Sequence, residues 1–155
     1  MLVKTKHFGE VELDDEKILT FNQGIFGFEE CKRFTILYNN EEGERPNISW
    51  LQSVDLQELA LPVISPSLVM DSYDPIVNDD VLVSLGDLTE DNLVILLTLT
   101  VPYDLTKMTT NLKAPIIINS DTKYGCQLVA ENEDYVIKYP VYDKFNKNLE
   151  KKGEI

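Results

Sequence analysis

The sequence predicts a single-domain, mainly β protein: an antiparallel barrel or sandwich with one or two short helices. The chain has 155 residues, of which 43% are hydrophobic and 26% charged, which is typical of one globular domain. Short segments of alternating apolar and polar residues recur along it, and turns rich in Gly, Asn and Pro separate them. Short strands with short connections are typical of antiparallel barrels and sandwiches.

The predicted strands begin with an N-terminal hairpin, in which residues 2–6 and 10–13 flank the turn His-Phe-Gly. Strands at 17–21 and 33–38 follow, separated by the loop NQGIFGFEE (22–30). The two glycines of this loop indicate positive φ or a close backbone approach. The remaining strands are predicted at 48–54, 61–66, 92–101, 111–118, 125–130 and 135–141.

The stretch NLKAPIIIN (111–119) places a proline inside an apolar strand. Proline cannot donate to a ladder, so Pro115 predicts an edge strand or a bulge. Its role is either to block unwanted edge pairing or to mark an edge that receives a partner. The neighbouring Ile117 belongs either to the core or to such a docking surface.

Helix is predicted chiefly at NDDVLVSLG (78–86). Asn78 is suited to cap it, Asp79 and Asp80 favour its first turn, and Gly86 ends it. A weaker one-turn candidate covers 53–61. We expect one domain over residues 1–143 and a frayed, lysine-containing tail over 144–155.

The net charge is −13, from 27 acidic and 14 basic residues. This charge repels phosphates and argues against direct nucleic-acid binding. It favours a basic partner protein, since complementary fields speed association. The alternative is that the acidity only maintains solubility.

The sequence favours a cytoplasmic protein. Its N-terminus has no apolar run typical of a signal peptide, and the apolar stretch from Asn92 is shorter than the ~20 residues of a membrane helix. No membrane association is expected. Cys31 and Cys126 lie far apart without CxxC spacing, which favours buried free thiols over a disulfide.

No enzymatic site, metal or cofactor is predicted. His7 is the sole histidine and cannot form a histidine-based metal site by itself. The sequence lacks GxSxG, GxGxxG and P-loop motifs. Two carboxylates acting together would be the remaining route, so a two-carboxylate hydrolase is the enzymatic alternative.

Five stretches together resemble the bacterial flagellar assembly factor FliW family. They are FNQGIFGFEE (21–30), WLQSVDLQELAL (50–61), DSYDPIVNDDVLVSLG (71–86), LTVPYDLTKMTTNLKAPIIIN (99–119) and YGCQLVAENEDYVIKYPV (124–141). The combination of G-I-x-G-F-E, W-L-Q-S and N-L-x-A-P-I-x-I-N is specific, although each motif alone is weak. One departure is Ser65 before Pro66, where such proteins often carry an acidic residue.

The resemblance implies a twisted β-barrel-like fold and a binding function with two partners. Members of the family bind cytoplasmic flagellin in a chaperone-like way. They also bind and antagonise the carbon storage regulator, a dimeric RNA-binding repressor of flagellin translation. The resemblance thus implies a factor that couples flagellin synthesis to export. An export adaptor that binds flagellin but not the repressor is the alternative, and the free protein is expected to be monomeric.

The candidate partner-binding residues fall into two groups. Acidic residues in turns and at the helix start are expected to steer the basic regulator, unless they are only turn and cap residues. Apolar and polar residues of the glycine loop, of the strand at 48–54 and of the proline strand are candidates for docking or for the core. The acidic group is Asp79, Asp80, Glu41, Glu42 and Glu44; the second group is Ile117, Asn119, Phe26, Phe28 and Trp50.

Overall fold

The computed structural model describes residues 1–38 and 48–144 and confirms a mainly β fold. Every predicted strand overlaps an observed strand, which is shorter in each case, and the two-residue β8 is an addition to the prediction. The strands of the described residues are β1 Leu2–Lys4, β2 Glu10–Glu12, β3 Leu19–Thr20, β4 Arg33–Leu37, β5 Ser49–Ser53, β6 Ala60–Ile64, β7 Leu93–Thr100, β8 Thr109–Thr110, β9 Ile116–Asn119, β10 Tyr124–Gln127 and β11 Tyr139–Pro140.

The predicted helix is present as α1 (Asp79–Leu82), which continues into the 3-10 turn Val83–Leu85. Asn78 caps it, since its Oδ1 accepts a hydrogen bond from the Asp80 N–H at 2.9 Å. Gly86 ends the segment at φ +85°, a conformation that favours glycine. The weaker candidate at 53–61 forms turns between β5 and β6 instead. Further 3-10 turns lie at Asp15–Lys17, Pro66–Leu68 and Leu105–Lys107.

Seven strands close into a barrel in the order β3, β4, β5, β6, β7, β9, β10 and back to β3. Sequential antiparallel pairs build β3 to β7. Two long-range pairs close the ring: β7 with β9, and β10 with β3. The last pair is parallel, with Tyr124 opposite Thr20. Of the two architectures left open by the strand pattern, the barrel is correct.

Two smaller sheets extend the barrel. β8 pairs with the end of β7, and β11 pairs with β8. The β1–β2 hairpin forms its own sheet and is attached through buried Gln52. The Gln52 Oε1 accepts from the Lys6 N–H at 2.9 Å, and its Nε2 donates to the Ser53 and Leu59 carbonyls at 3.0 and 3.2 Å.

Pro115 lies in a bulge, which is one of the two alternatives predicted for it. β8 and β9 both pair with one edge of β7, where Thr110 faces Leu99 and Ile116 faces Leu96. The chain advances six residues from Thr110 to Ile116, while β7 advances only three, from Leu99 to Leu96. Residues 111–115 therefore bulge out of the ladder. Pro115 precedes β9 and gives up no ladder bond. The edge-strand alternative is wrong, because β9 has β7 and β10 as neighbours.

Three apolar clusters organise the interior. The first fills the barrel and includes Phe21, Phe34 and Ile116. The second lies beneath β8 and β11. The third lies outside the barrel wall under the α1 segment and joins Leu85 to Ile117. The alternation of β9 explains this division, since successive strand residues point to opposite faces.

Candidate functional site

The acidic side chains lie on the surface throughout the part of the chain that the structure describes. Every Asp and Glu within 1–38 and 48–144 is exposed. Ion pairs in this part of the chain join Arg33 to Asp55 and the N-terminal amine to Glu12. Most of the carboxylates are therefore available to an incoming cationic surface. None forms the enclosed pair that a two-carboxylate hydrolase would need.

Asp79 and Asp80 occupy the first turn of α1, as predicted, and both side chains are exposed. Carboxylates at this position stabilise the helix start by interacting with its unpaired N–H groups. The structure therefore places them where they serve the helix and also face solvent. The other acidic candidates, Glu41, Glu42 and Glu44, lie outside the described residues.

Phe26 and Phe28 project from the glycine loop and are 48% and 40% exposed. Gly24 has φ +69°, and a Cβ added to it would lie 2.5 Å from the Glu29 backbone. The Phe26 N–H donates to the Gln127 Oε1 at 2.9 Å. Gln127 thereby holds the loop against β10, and the two phenylalanines are surface features of a tightly constrained turn.

Trp50 is half-buried on β5 and its ring lies against exposed His7, with centroids 4.2 Å apart. It faces Leu37 on β4 and Pro62 on β6. Leu37 is the last residue of β4, whereas the glycine loop precedes the first residue of that strand, Arg33. The structure therefore does not bring Trp50 together with the glycine loop.

Ile117 and Asn119, which the sequence left as candidates for docking or for the core, are both buried. Ile117 is 3% exposed and packs in the cluster beneath α1, so the core alternative holds for it. Asn119 is fully buried, and its Nδ2 donates to the carbonyls of Leu85 and Asp87 at 2.9 and 3.1 Å. This amide secures the turn after α1 against β9.

A groove beside β7 was not predicted from the sequence. β6 pairs with β7 only at Val63–Thr98 and Ile64–Leu97, whereas β7 continues to Leu93. A cleft of about 650 Å³ opens where β6 has ended. We call it the β7 groove; its lining residues are Ser49, Val63, Ile64, Ser65, Ser67, Leu68, Leu93, Val94, Ile95 and Leu96.

The β7 groove continues into a shallower depression of about 260 Å³ lined by the 65–73 segment. Asp71 lines this depression and is the charged residue among the described residues that line it. The sequence held one signal for this site. β6 ends at Ile64, just before Ser65-Pro66, because proline cannot continue the ladder. The apolar run LVILLTLT of neighbouring β7 is longer than β6.

The two cysteines are free thiols, one half-buried and one buried. Cys31 and Cys126 are free, as predicted, and burial raises the pKa of the Cys126 thiol to about 11. No cluster of His, Cys, Asp or Glu in the described part of the chain has the arrangement of a metal site. Nor does any described helix have the length and apolar character needed to span a bilayer.

Comparison with known proteins places this architecture in one family. The family model described as "FliW protein" matches residues 2–141. The flagellar assembly factor FliW of Lachnoclostridium phytofermentans is 61% identical over 151 residues, covering 97% of each chain. That of Lachnospira eligens is 50% identical over 148 residues, covering 95% of this chain and 98% of the relative.

A solved structure supports the same relationship through its fold. The crystal structure of a flagellar assembly factor FliW superposes with a TM-score of 0.83 at 30% identity, covering 91% of this chain and 96% of that one. The sequence motifs, the barrel and these matches agree, and the chain belongs to the FliW family of flagellar assembly factors.

Proposed function

We propose that this flagellar assembly factor is a cytoplasmic monomer with two protein partners. It binds flagellin in a chaperone-like way, and it binds and antagonises the carbon storage regulator, which represses translation of flagellin mRNA. Flagellin that accumulates occupies the factor and releases the regulator. Flagellin export frees the factor to capture the regulator again. Synthesis of flagellin is thereby coupled to its export.

The exposed acidic surface is the observation that carries this proposal. A repressor that binds RNA presents basic side chains to phosphates, and a protein of net charge −13 attracts such a surface. The same field disfavours direct RNA binding by the factor itself. Antagonism therefore operates through protein–protein contact. All carboxylates of the described residues are exposed, which gives the hydrolase alternative no enclosed site.

Calorimetric titration with the flagellin monomer, and separately with the carbon storage regulator, tests the proposal. Both partners are expected to bind. Affinity for the regulator should fall when salt rises from ~50 to ~200 mM, because ions screen surface charges over about a Debye length. Binding of flagellin alone would identify an export adaptor instead. Binding of neither partner would refute the proposal.

The contribution of α1 can be isolated with charge-matched variants. Asp79→Asn with Asp80→Asn removes two charges at the exposed helix start. Asp14→Asn with Asp15→Asn removes two exposed charges around the 3-10 turn after β2. If α1 steers the regulator, the first pair slows association several-fold more than the second. Equal effects would show that only net charge matters.

A further inference from the structure

The edge of β7 that faces the β7 groove is an open hydrogen-bonding edge. In an antiparallel ladder, the N–H and C=O of one residue point to the same side, and successive residues alternate. The Ser120 N–H donates to the Asn92 carbonyl at 2.8 Å, so Asn92 faces the β9 side. By alternation, Leu93 and Ile95 direct their backbone groups toward the opposite side, into the groove.

No described strand satisfies these groups. The ladder between β6 and β7 ends at the pair Ile64–Leu97, and Pro66 begins a 3-10 turn there. The Leu93 N–H is used within its own turn, where it donates to the Thr89 carbonyl at 3.1 Å. Within the described residues, the Leu93 carbonyl and both backbone groups of Ile95 therefore have no backbone partner along this edge.

The side chains around this edge define what fits beside it. Leu93 is 40% exposed, and Val94, Ile95 and Leu68 are half-buried. These side chains present apolar surface to an incoming segment on both faces of the ladder. The charged residues that the structure describes around this edge are acidic: Asp71 lines the depression that continues the groove, and the exposed residues Glu90 and Asp91 immediately precede β7.

We propose that the β7 groove receives an extended segment of the carbon storage regulator, which adds as a strand along Leu93–Leu96. Resting on the proposed function, this inference assigns one of the two partners to a place on the barrel. Strand addition supplies backbone hydrogen bonds, and alternate apolar side chains of the segment enter the groove. A protein that binds RNA carries basic side chains for phosphates, and these match the acidic residues around this edge, which favours the RNA-binding partner over flagellin or a second copy.

Amide hydrogen exchange at single-residue resolution provides a direct test. Saturation of the factor with purified carbon storage regulator should slow exchange of the Ile95 amide by roughly tenfold or more. Val94 and Leu96 are internal controls, because alternation directs their N–H groups to β9, where each is already bonded. Unchanged exchange at Ile95 while the regulator binds overturns the inference and leaves the proposed function intact.

Two lysine variants provide an independent test. Leu93→Lys places a cation in the groove, whereas Ile137→Lys makes the same change at a residue that is 62% exposed, lies away from α1 and does not line the groove. The first should weaken regulator binding roughly tenfold and the second less than twofold. Equal melting temperatures of the two variants would show that both remain folded. Equal affinities of these folded variants would overturn the inference.

Three further outcomes would contradict the chosen occupant. Protection of Ile95 by the flagellin monomer, and not by the regulator, would assign the groove to flagellin. Protection that grows with concentration of the factor alone would assign it to a second copy of this chain. Failure of the regulator to bind the unmodified protein would refute both the inference and the proposed function.

Discussion

Asn119→Ala tests whether this buried asparagine acts as a structural brace for α1 and not as a contact for a partner. The Nδ2 of Asn119 donates to the carbonyls of Leu85 and Asp87, and its Oδ1 accepts from the N–H groups of Asp121 and Thr122 at 2.9 and 3.2 Å. The substitution removes all four bonds. At about 0.5–1.5 kcal/mol each, their sum is roughly 2–6 kcal/mol.

The lower part of this range applies, because some of the partners are satisfied in other ways. The Leu85 carbonyl also accepts from the Thr122 hydroxyl at 2.8 Å, and the Asp87 carbonyl also accepts from the Asn92 amide at 2.9 Å. The N–H groups of the exposed turn that follows Asn119 gain water. We therefore expect the free energy of unfolding to fall by about 2–3 kcal/mol.

Urea denaturation followed by circular dichroism measures this loss. With a slope of about 1–3 kcal/mol per molar, the midpoint should fall by roughly 0.7–3 M. Asn111→Ala is the matched control, because that side chain is half-buried and accepts one bond, from the Lys113 N–H at 2.9 Å; about 1 kcal/mol is expected for it. A loss below about 0.5 kcal/mol for Asn119→Ala, accompanied by weaker partner binding, would refute the structural role.

Other substitutions test the core, the loops and the buried thiol. Ile117→Glu should lower the free energy of unfolding by about 4 kcal/mol or more because it buries a charge, whereas Ile117→Val should lower it by about 1 kcal/mol. A folded Ile117→Glu variant with an unchanged melting temperature would contradict the observed burial. Gly24→Ala should lower the free energy of unfolding by about 2–4 kcal/mol, since its Cβ would meet the Glu29 backbone. Gly9 is also at positive φ, but its surroundings are open, so Gly9→Ala should cost only about 1 kcal/mol. Equal losses of stability in thermal melts would refute the steric argument. Burial raises the pKa of the Cys126 thiol to about 11, so only about one Cys126 thiol in a thousand is ionised at pH 8. Alkylation of Cys126 should therefore accelerate as the pH rises toward 11. If mass spectrometry showed the same alkylation rate in native and urea-unfolded protein, the protective effect of burial would be refuted.

Local chemistry explains which elements the sequence predicted. Asn78 and Gly86 bracket α1 because a cap and a positive-φ stop act within a few residues. Pro115 indicated an edge or a bulge, since its missing N–H is a local property. The alternation of apolar residues located most strands for the same reason. These signals depend on the residues themselves and their immediate neighbours.

The features that were missed depend on distant parts of the chain. The partnership of Tyr124 with Thr20 cannot be read from either segment, because both have strand character with many possible partners. The same limit applied to Ile117, whose outward face on β9 is covered by α1 and is not exposed to a partner. The β7 groove depends on where β6 stops relative to β7, and this offset is set by the three-dimensional register.

The parallel pair that closes the barrel has a consequence for synthesis of the protein. β3 lies near the start of the chain and β10 more than a hundred residues later, with Thr20 opposite Tyr124. Contacts between residues so far apart in the sequence form more slowly than the sequential pairs from β3 to β7, because bringing them together costs more chain entropy. On the ribosome, the ring cannot close until β10 has emerged. At a translation rate of about 5–20 residues per second, one edge of β3 stays unpaired for several seconds. That interval sets the earliest time at which a newly made molecule can complete its barrel.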